Sequence, residues 1–284
     1  MKRLSFGSWP FLHGAYRDEP VGFHKLLHRL QDSGYDGVEL GACRPHPNPD
    51  THDTVDRCSH VRVEVAEHGL AFSGMAPNLR GHSLVSTDSH ELYLSAFTRF
   101  ADFAAAIGTP TIRVDTVEPL VHLAAIPVAV MIDRATRAFA ECSRLAADRG
   151  MRVAWEFEPH LPLHSAEQIL AVTQGVRSLG YTNFGIMFDV AHAHVSSNGN
   201  EHELLRQFSR YINHVHLCDT DGTQDECGIS RHLPFGQGCI DFQRLLPDVT
   251  GLIDVEWWTI DMCYQDDAWT TIGSAKRFLE PFRK

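Results

Sequence analysis

The sequence predicts a single (β/α)8 barrel covering residues 1–284. Three observations carry that expectation. Eight short apolar runs each precede a longer amphipathic run, no linker or shift in composition divides the chain, and the repeating units average roughly 35 residues, which suits the usual size of such barrels with some loop growth. A doubly wound open sheet also alternates strands and helices, but the eightfold count favours the barrel.

The elements follow in order. LSFGSW (Leu4 to Trp9) reads as the first strand, and Val21 to Gly34 as a helix with a glycine stop. Gly37 to Leu40 is the second strand; a proline-rich loop, RPHPNPDTHD, leads to a helix over Thr54 to His68. LAFSGM is the third strand, and a Ser-Thr-Asp-Ser cluster at 86–89 opens the helix HELYLSAFTRFADFAAAIG. TIRVDT and RVAWEF are strands four and five, with the helix AVMIDRATRAFAECSRLAADRG between them. SAEQILAVTQGV, FGIMFD and NEHELLRQFSRY continue the rhythm as helix, strand and helix. INHVHL is strand seven, DFQRLLPDV a helix, LIDVEW strand eight, and a last helix falls within Trp269 to Phe282.

Bulk properties narrow the function. With 43% hydrophobic and 21% charged residues the chain has a globular composition, and a net charge of −11 disfavours a nucleic-acid partner. No run approaches the roughly 20 apolar residues of a membrane span, and the start MKRLSFGSWPFLHGAY lacks the apolar core of a signal peptide. Seven scattered cysteines without a CxxC pair read as reduced thiols, so a cytoplasmic protein is expected.

Barrel enzymes build their sites at the C-terminal ends of the strands. Strands five to eight are expected to end in Glu156, Asp189, His216 and Glu256, and strand two offers Glu39. Buried together at one mouth, three carboxylates would repel one another and resist ionisation. A divalent cation removes that penalty, and oxygen donors with one imidazole suit Mn²⁺, Mg²⁺, Co²⁺ or Zn²⁺. WEFEP carries both Glu156 and Glu158, which alternation puts on one side of the strand. His214, two before His216, reads as a hydrogen-bonded barrel histidine, and His194 as a surface residue.

With these residues in view, the chain resembles the xylose isomerase-like TIM barrel superfamily of sugar isomerases and epimerases, inosose isomerases and dehydratases, and apurinic endonucleases. GYDGVEL, GMRVAWEFEP, FGIMFDVAHAH, HVHLCDTD, GQGCIDF and LIDVEWW carry the resemblance in order. The sixth-strand and GQG segments look most similar to members of the 2-keto-myo-inositol isomerase type. The resemblance implies that Glu156, Asp189, His216 and Glu256 bind one divalent metal, Mn²⁺ first among the alternatives. It favours Glu156 over Glu158 as ligand, by its spacing from Gly150. It further implies that His192 contacts substrate and that Arg231 reaches a substrate oxygen, with Glu39 and Glu158 facing the substrate. Glu156 and Glu256 would be the acid–base pair.

The activity so implied is isomerisation or epimerisation of a sugar, keto-sugar or cyclitol by proton transfer through an enediolate, with dehydration on the same site as the alternative. No phosphate cradle is recognisable, so an unphosphorylated substrate is preferred. An endonuclease would need histidines after strands two and three; strand three ends in SGMAPNL without one. An inactive binding barrel is disfavoured because all four ligand positions hold competent residues. The expected partner is a small molecule, with neither nucleic acid nor membrane, and self-association into a homo-oligomer stays open.

Overall fold

Strand residues alternate between two environments, the barrel interior and the layer under the helices. In the computed structural model, which describes residues 1–120, 123–263 and 266–283, the strands are β1 (Arg3–Gly7), β2 (Gly37–Gly41), β3 (Ala71–Ala76), β4 (Thr111–Val114), β5 (Arg152–Glu156), β6 (Phe184–Asp189), β7 (Ile212–Leu217) and β8 (Trp257–Ile260). They form a closed barrel in chain order, all neighbours parallel, with β8 returning to β1. The helices α1 (Phe23–Asp32), α2 (Val55–Glu67), α3 (Glu91–Ile107), α4 (Val128–Ala147), α5 (Ala166–Ser178), α6 (Val190–Ser196), α7 (Glu201–Phe208), α8 (Phe242–Leu252) and α9 (Ala268–Leu279) occupy the connections. The chain is a (β/α)8 barrel.

Outward strand residues such as Val38, Leu40, Ile112, Val114, Trp155, Phe188 and Val215 are buried against helix residues including Leu26, Leu30, Phe97, Ala138 and Phe139. Each fully buried aliphatic side chain in that layer contributes about 1.5–3 kcal/mol. The inward face is polar. Ser5 Oγ lies 2.8 Å from Thr259 Oγ1, which lies 3.2 Å from His214 Nε2, and that nitrogen is 2.6 Å from Glu39 Oε2. Trp257 fills the floor beneath this column. A Cβ on Gly37 would sit 2.6 Å from its ring and 2.3 Å from the Ala71 carbonyl oxygen, so only glycine fits there.

Two elements differ from expectation. The segment VAHAHVS, unassigned in the sequence reading, forms α6, because the Asp189 side chain accepts from the backbone N–H of His192 at 2.8 Å and caps a helix immediately after β6. Strand eight is Trp257–Ile260 rather than LIDVEW, since α8 runs through Leu252 and β1 pairs with β8 from Arg3↔Trp257 to Phe6↔Ile260. Among the described residues no helix is long and apolar enough to cross a membrane, and no disulfide joins the cysteines.

Candidate functional site

Four consecutive strands deliver one ligand-type side chain each to the C-terminal mouth. Glu156 ends β5, Asp189 ends β6, His216 is the penultimate residue of β7, and Asp261 directly follows β8. One potential ligand atom from each lies within 4.8 Å of all the others, and all four residues are buried. His216 Nδ1 is 2.8 Å from Glu156 Oε1 and 3.3 Å from Asp261 Oδ2, while its Nε2 stands 3.2 Å from Glu39 Oε2. Glu39 thus holds the far side of the imidazole and leaves Nδ1 facing the carboxylates, the arrangement by which a carboxylate orients a metal-binding histidine.

Glu256 is not part of this group. It precedes β8, its side chain is 57% exposed, and it pairs with Arg3 Nη1 at 3.0 Å. The reason is period two: Glu256 shares parity with Trp258 and Ile260, on the face away from Thr259, which is the inward residue touching Ser5 and His214. Asp261 has the parity of Thr259 and stands at the other end of the strand, where its N–H donates to the Leu217 carbonyl at 3.1 Å. The residue expected at 256 is therefore replaced at the mouth by Asp261.

Arg231 is also elsewhere. Its half-exposed guanidinium pairs with Asp221 Oδ2 at 2.9 Å and lines a separate cavity of about 410 Å³. Glu39 lies beneath His216 inside the barrel, not on the cavity wall, paired with His214 and His216. Glu158 and His192 do line the cavity over the cluster, a space of about 350 Å³ that also meets Trp9, Arg80, Arg113 and Asp261. Glu158 Oε2 is 3.4 Å from His160 Nδ1 and 4.0 Å from His192 Nε2. His194, expected at the surface, is largely covered, with Nδ1 2.8 Å from Glu201 Oε2 and Nε2 3.4 Å from Cys239 Sγ.

Charge is balanced unevenly. Burial opposes ionisation of Glu156, but Arg113, whose Nη1 donates to it, and His216 outweigh that and hold it down at about 2. Burial and the Glu156 charge push Glu158 up, opposite in direction to Glu156. Burial would raise Asp261, yet His232 and His216 bring it well below the usual carboxylate range. Burial also keeps His192 neutral by lowering its pKa. Three buried carboxylates against one imidazole, with Glu39 Oε2 held by His214 and His216 below, form a donor set that fits a divalent cation.

Several residues escaped the sequence reading. Arg113 could have been noticed as the single charge within TIRV, where Nη2 also reaches Asp115 Oδ2 at 3.2 Å. Asp219 anchors the GQG loop: its carboxylate accepts from the N–H groups of Gly236 at 2.8 Å, Gly238 at 2.9 Å, Thr220 at 2.9 Å and Ile240 at 3.2 Å. A Cβ at Gly238 would lie 2.3 Å from Asp219 Oδ1, which explains that glycine. His232, buried between Asp189 and Asp261, carried no local signal.

Comparison with known proteins agrees with this architecture. The chain is 28% identical over 161 residues to an uncharacterized protein of Methanocaldococcus jannaschii, a match covering 51% of this chain and 52% of the other; the chain spans about half the length of the curated relative it matches. Among solved structures, a D-tagatose 3-epimerase-like protein superposes with a TM-score of 0.77 at 16% identity, over 99% of this chain and 97% of that one. The IOLI protein with a bound zinc atom gives 0.78 at 19%, over 99% and 98%. A probable 3-DHS dehydratase from Bacillus anthracis gives 0.74 at 16%, over 99% of each. At such identities the structural likeness speaks for the fold. The xylose isomerase-like TIM barrel model matches residues 27–280, and the chain belongs to that family.

Proposed function

We propose that the protein is a divalent-metal-dependent isomerase or epimerase of a sugar, keto-sugar or cyclitol, with Glu156, Asp189, His216 and Asp261 holding the ion. The observation that carries this reading is the convergence of those four buried side chains, ligand atoms within 4.8 Å, beneath a cavity walled by Glu158 and His192. The names of structural neighbours support it: an epimerase-like protein and a zinc-bearing one share the barrel. When bound, the cation supplies Lewis-acid stabilisation of negative charge developing on a substrate oxygen.

The chain's own residues do the rest. Glu156, ionised beside Arg113, is the base for the proton on the carbon next to the carbonyl, a role worth about 10²–10⁴-fold. Glu158 and His192 face the same cavity and serve the oxygen-bound proton, with His160 behind Glu158. Trp9 positions Asp261 by donating from Nε1 to Oδ1 at 2.7 Å.

The test is a screen of keto-sugars and inososes with Mn²⁺ in D₂O. Deuterium at the carbon beside the carbonyl is expected, and Glu156→Gln should lower its incorporation about 10²-fold or more. Turnover by the fully metal-free protein would overturn the reading, and complete transfer of a C2 deuterium label to C1 would overturn the acid–base role of Glu156. A second reading, dehydration, is supported by the Glu158–His160–His192 cluster, whose groups could donate a proton to a departing hydroxyl; a product lighter by one water would establish it.

A further inference from the structure

The two oxygens of Asp261 face different neighbours. Oδ2 lies 3.3 Å from His216 Nδ1, within the cluster described above. Oδ1 lies 3.4 Å from His232 Nδ1 and 3.4 Å from Cys263 Sγ. His232, Asp261 and Cys263 each bring a ligand-type atom within 4.8 Å of the other two, and only Asp261 belongs to both groups.

We propose that His232, Asp261 and Cys263 form a second metal site, selective for zinc over manganese or magnesium. Asp261 bridges it to the ion of the first site; the bridge rests on the proposed function, whereas the histidine–thiolate pair does not. Three arguments support the site. Zinc bonds of about 2.0–2.3 Å in a tetrahedron separate neighbouring ligand atoms by about 3.3–3.8 Å, and both separations from Oδ1, each 3.4 Å, fall in that range. A thiolate beside imidazole and carboxylate suits zinc, while three carboxylates and an imidazole accept harder ions. Cys263 lines both cavities, Asp261 lines the one over the first site and His232 lines the other, so the fourth position stays open to a ligand oxygen. Binding replaces the S–H proton of Cys263 with the cation and releases that proton to water, with no change in oxidation state.

The opposite nitrogen of His232 offers a rival. Nε2 stands 3.8 Å from Asp189 Oδ1, and Cys218 Sγ is 3.7 Å from Asp189 Oδ2. That trio is fully buried, and neither Asp189 nor Cys218 lines either cavity, so it lacks an open position.

Cobalt substitution decides between them. Full-length protein stripped with chelator and titrated with Co²⁺ should take up two ions per chain and develop an intense near-ultraviolet thiolate-to-cobalt band. Cys263→Ser should bind one and lose the band; Cys218→Ser should keep both ions and the band; Mn²⁺ should load one ion in all three proteins. A wild-type protein without the band, a test that needs no variant to fold, overturns the proposal. So does a band that survives Cys263→Ser, and a band lost only in Cys218→Ser moves the ion to Nε2 and overturns the assignment. If the cobalt band forms and disappears with Cys263→Ser while Mn²⁺ loads nowhere, the first-site reading and the bridge fail and the thiolate site stands.

Discussion

Asp261→Asn and Glu256→Gln, made separately, set the two ends of β8 against each other. Both changes keep shape and remove one negative charge. Glu256 is 57% exposed and its partner Arg3 38% exposed, at 3.0 Å. A pair so placed contributes about 0–1 kcal/mol, and Arg3 keeps its seat over the Trp257 ring at 4.0 Å. Glu256→Gln should therefore leave Mn²⁺ affinity and turnover unchanged and lower stability by less than about 1 kcal/mol.

Asp261 is 3% exposed, and its carboxylate faces His216 and accepts from Trp9. Removing a residue that merely orients a ligand costs about 10–100-fold in metal affinity. A ligand itself should cost at least the upper figure, which corresponds to about 2.7 kcal/mol. The assay is a Mn²⁺ titration of chelated protein by calorimetry, with metal content by mass spectrometry and exchange of substrate protons in D₂O. Manganese is the appropriate ion because it reports the oxygen-rich site. A Glu256→Gln protein that loses metal, beside an Asp261→Asn protein that keeps it, would refute the geometric argument and restore the sequence expectation.

Three further outcomes follow from named contacts. Glu39→Gln touches no cavity but weakens the hold on His216 Nε2, so Mn²⁺ affinity should fall about 10–100-fold in the same titration. His46 is buried with Nε2 donating to the Val21 carbonyl at 2.9 Å, and burial lowers its pKa from 6.5 to about 4. The unfolded chain therefore takes up a proton that the folded chain refuses. Stability should fall as pH drops from about 6.5 to about 4, by up to about 3 kcal/mol, and urea titrations of His46→Gln should show a shallower slope across that window only. Gly238→Ala would push a methyl group against Asp219 Oδ1, at 2.3 Å, so hydrogen exchange at the Gly236, Gly238 and Ile240 amides should accelerate while the barrel strands stay protected.

What could be read from the chain depended on whether neighbours in sequence decide it. FGIMFD is an uninterrupted apolar run with an acid at its end, and every residue of β6 is buried, so Asp189 lay where local pattern placed it. The region around β8 contains two overlapping apolar windows, LIDVEW and WWTID, each able to end on an acid. Ile253 and Val255 are buried at 2% and 3% although they precede the strand, which makes the first window look like a strand too. Only pairing with β1, more than 250 residues away, selects the second, and register then turns Glu256 outward and Asp261 inward. Arg231 and His232 pose the same problem on a smaller scale. The antiparallel bridge between Asp219 and Leu233 holds that loop extended, so adjacent residues face opposite ways. The arginine goes to Asp221 and the histidine to the mouth.

The polar column inside the barrel shows why an acid could not simply replace His216. Glu39 accepts from His214 at 2.6 Å and lies 3.2 Å from His216 Nε2, while burial is offset by the charges of both histidines, leaving its pKa well below the usual range. An ionised acceptor on one side of an imidazole fixes the other nitrogen as the one that meets a cation. Aspartate or glutamate at position 216 would set a second anion against Glu39 with no proton between them, in a site that water does not reach. The histidine at the end of β7 is thus selected from below as much as from the mouth, by a residue on β2 that never lines the cavity.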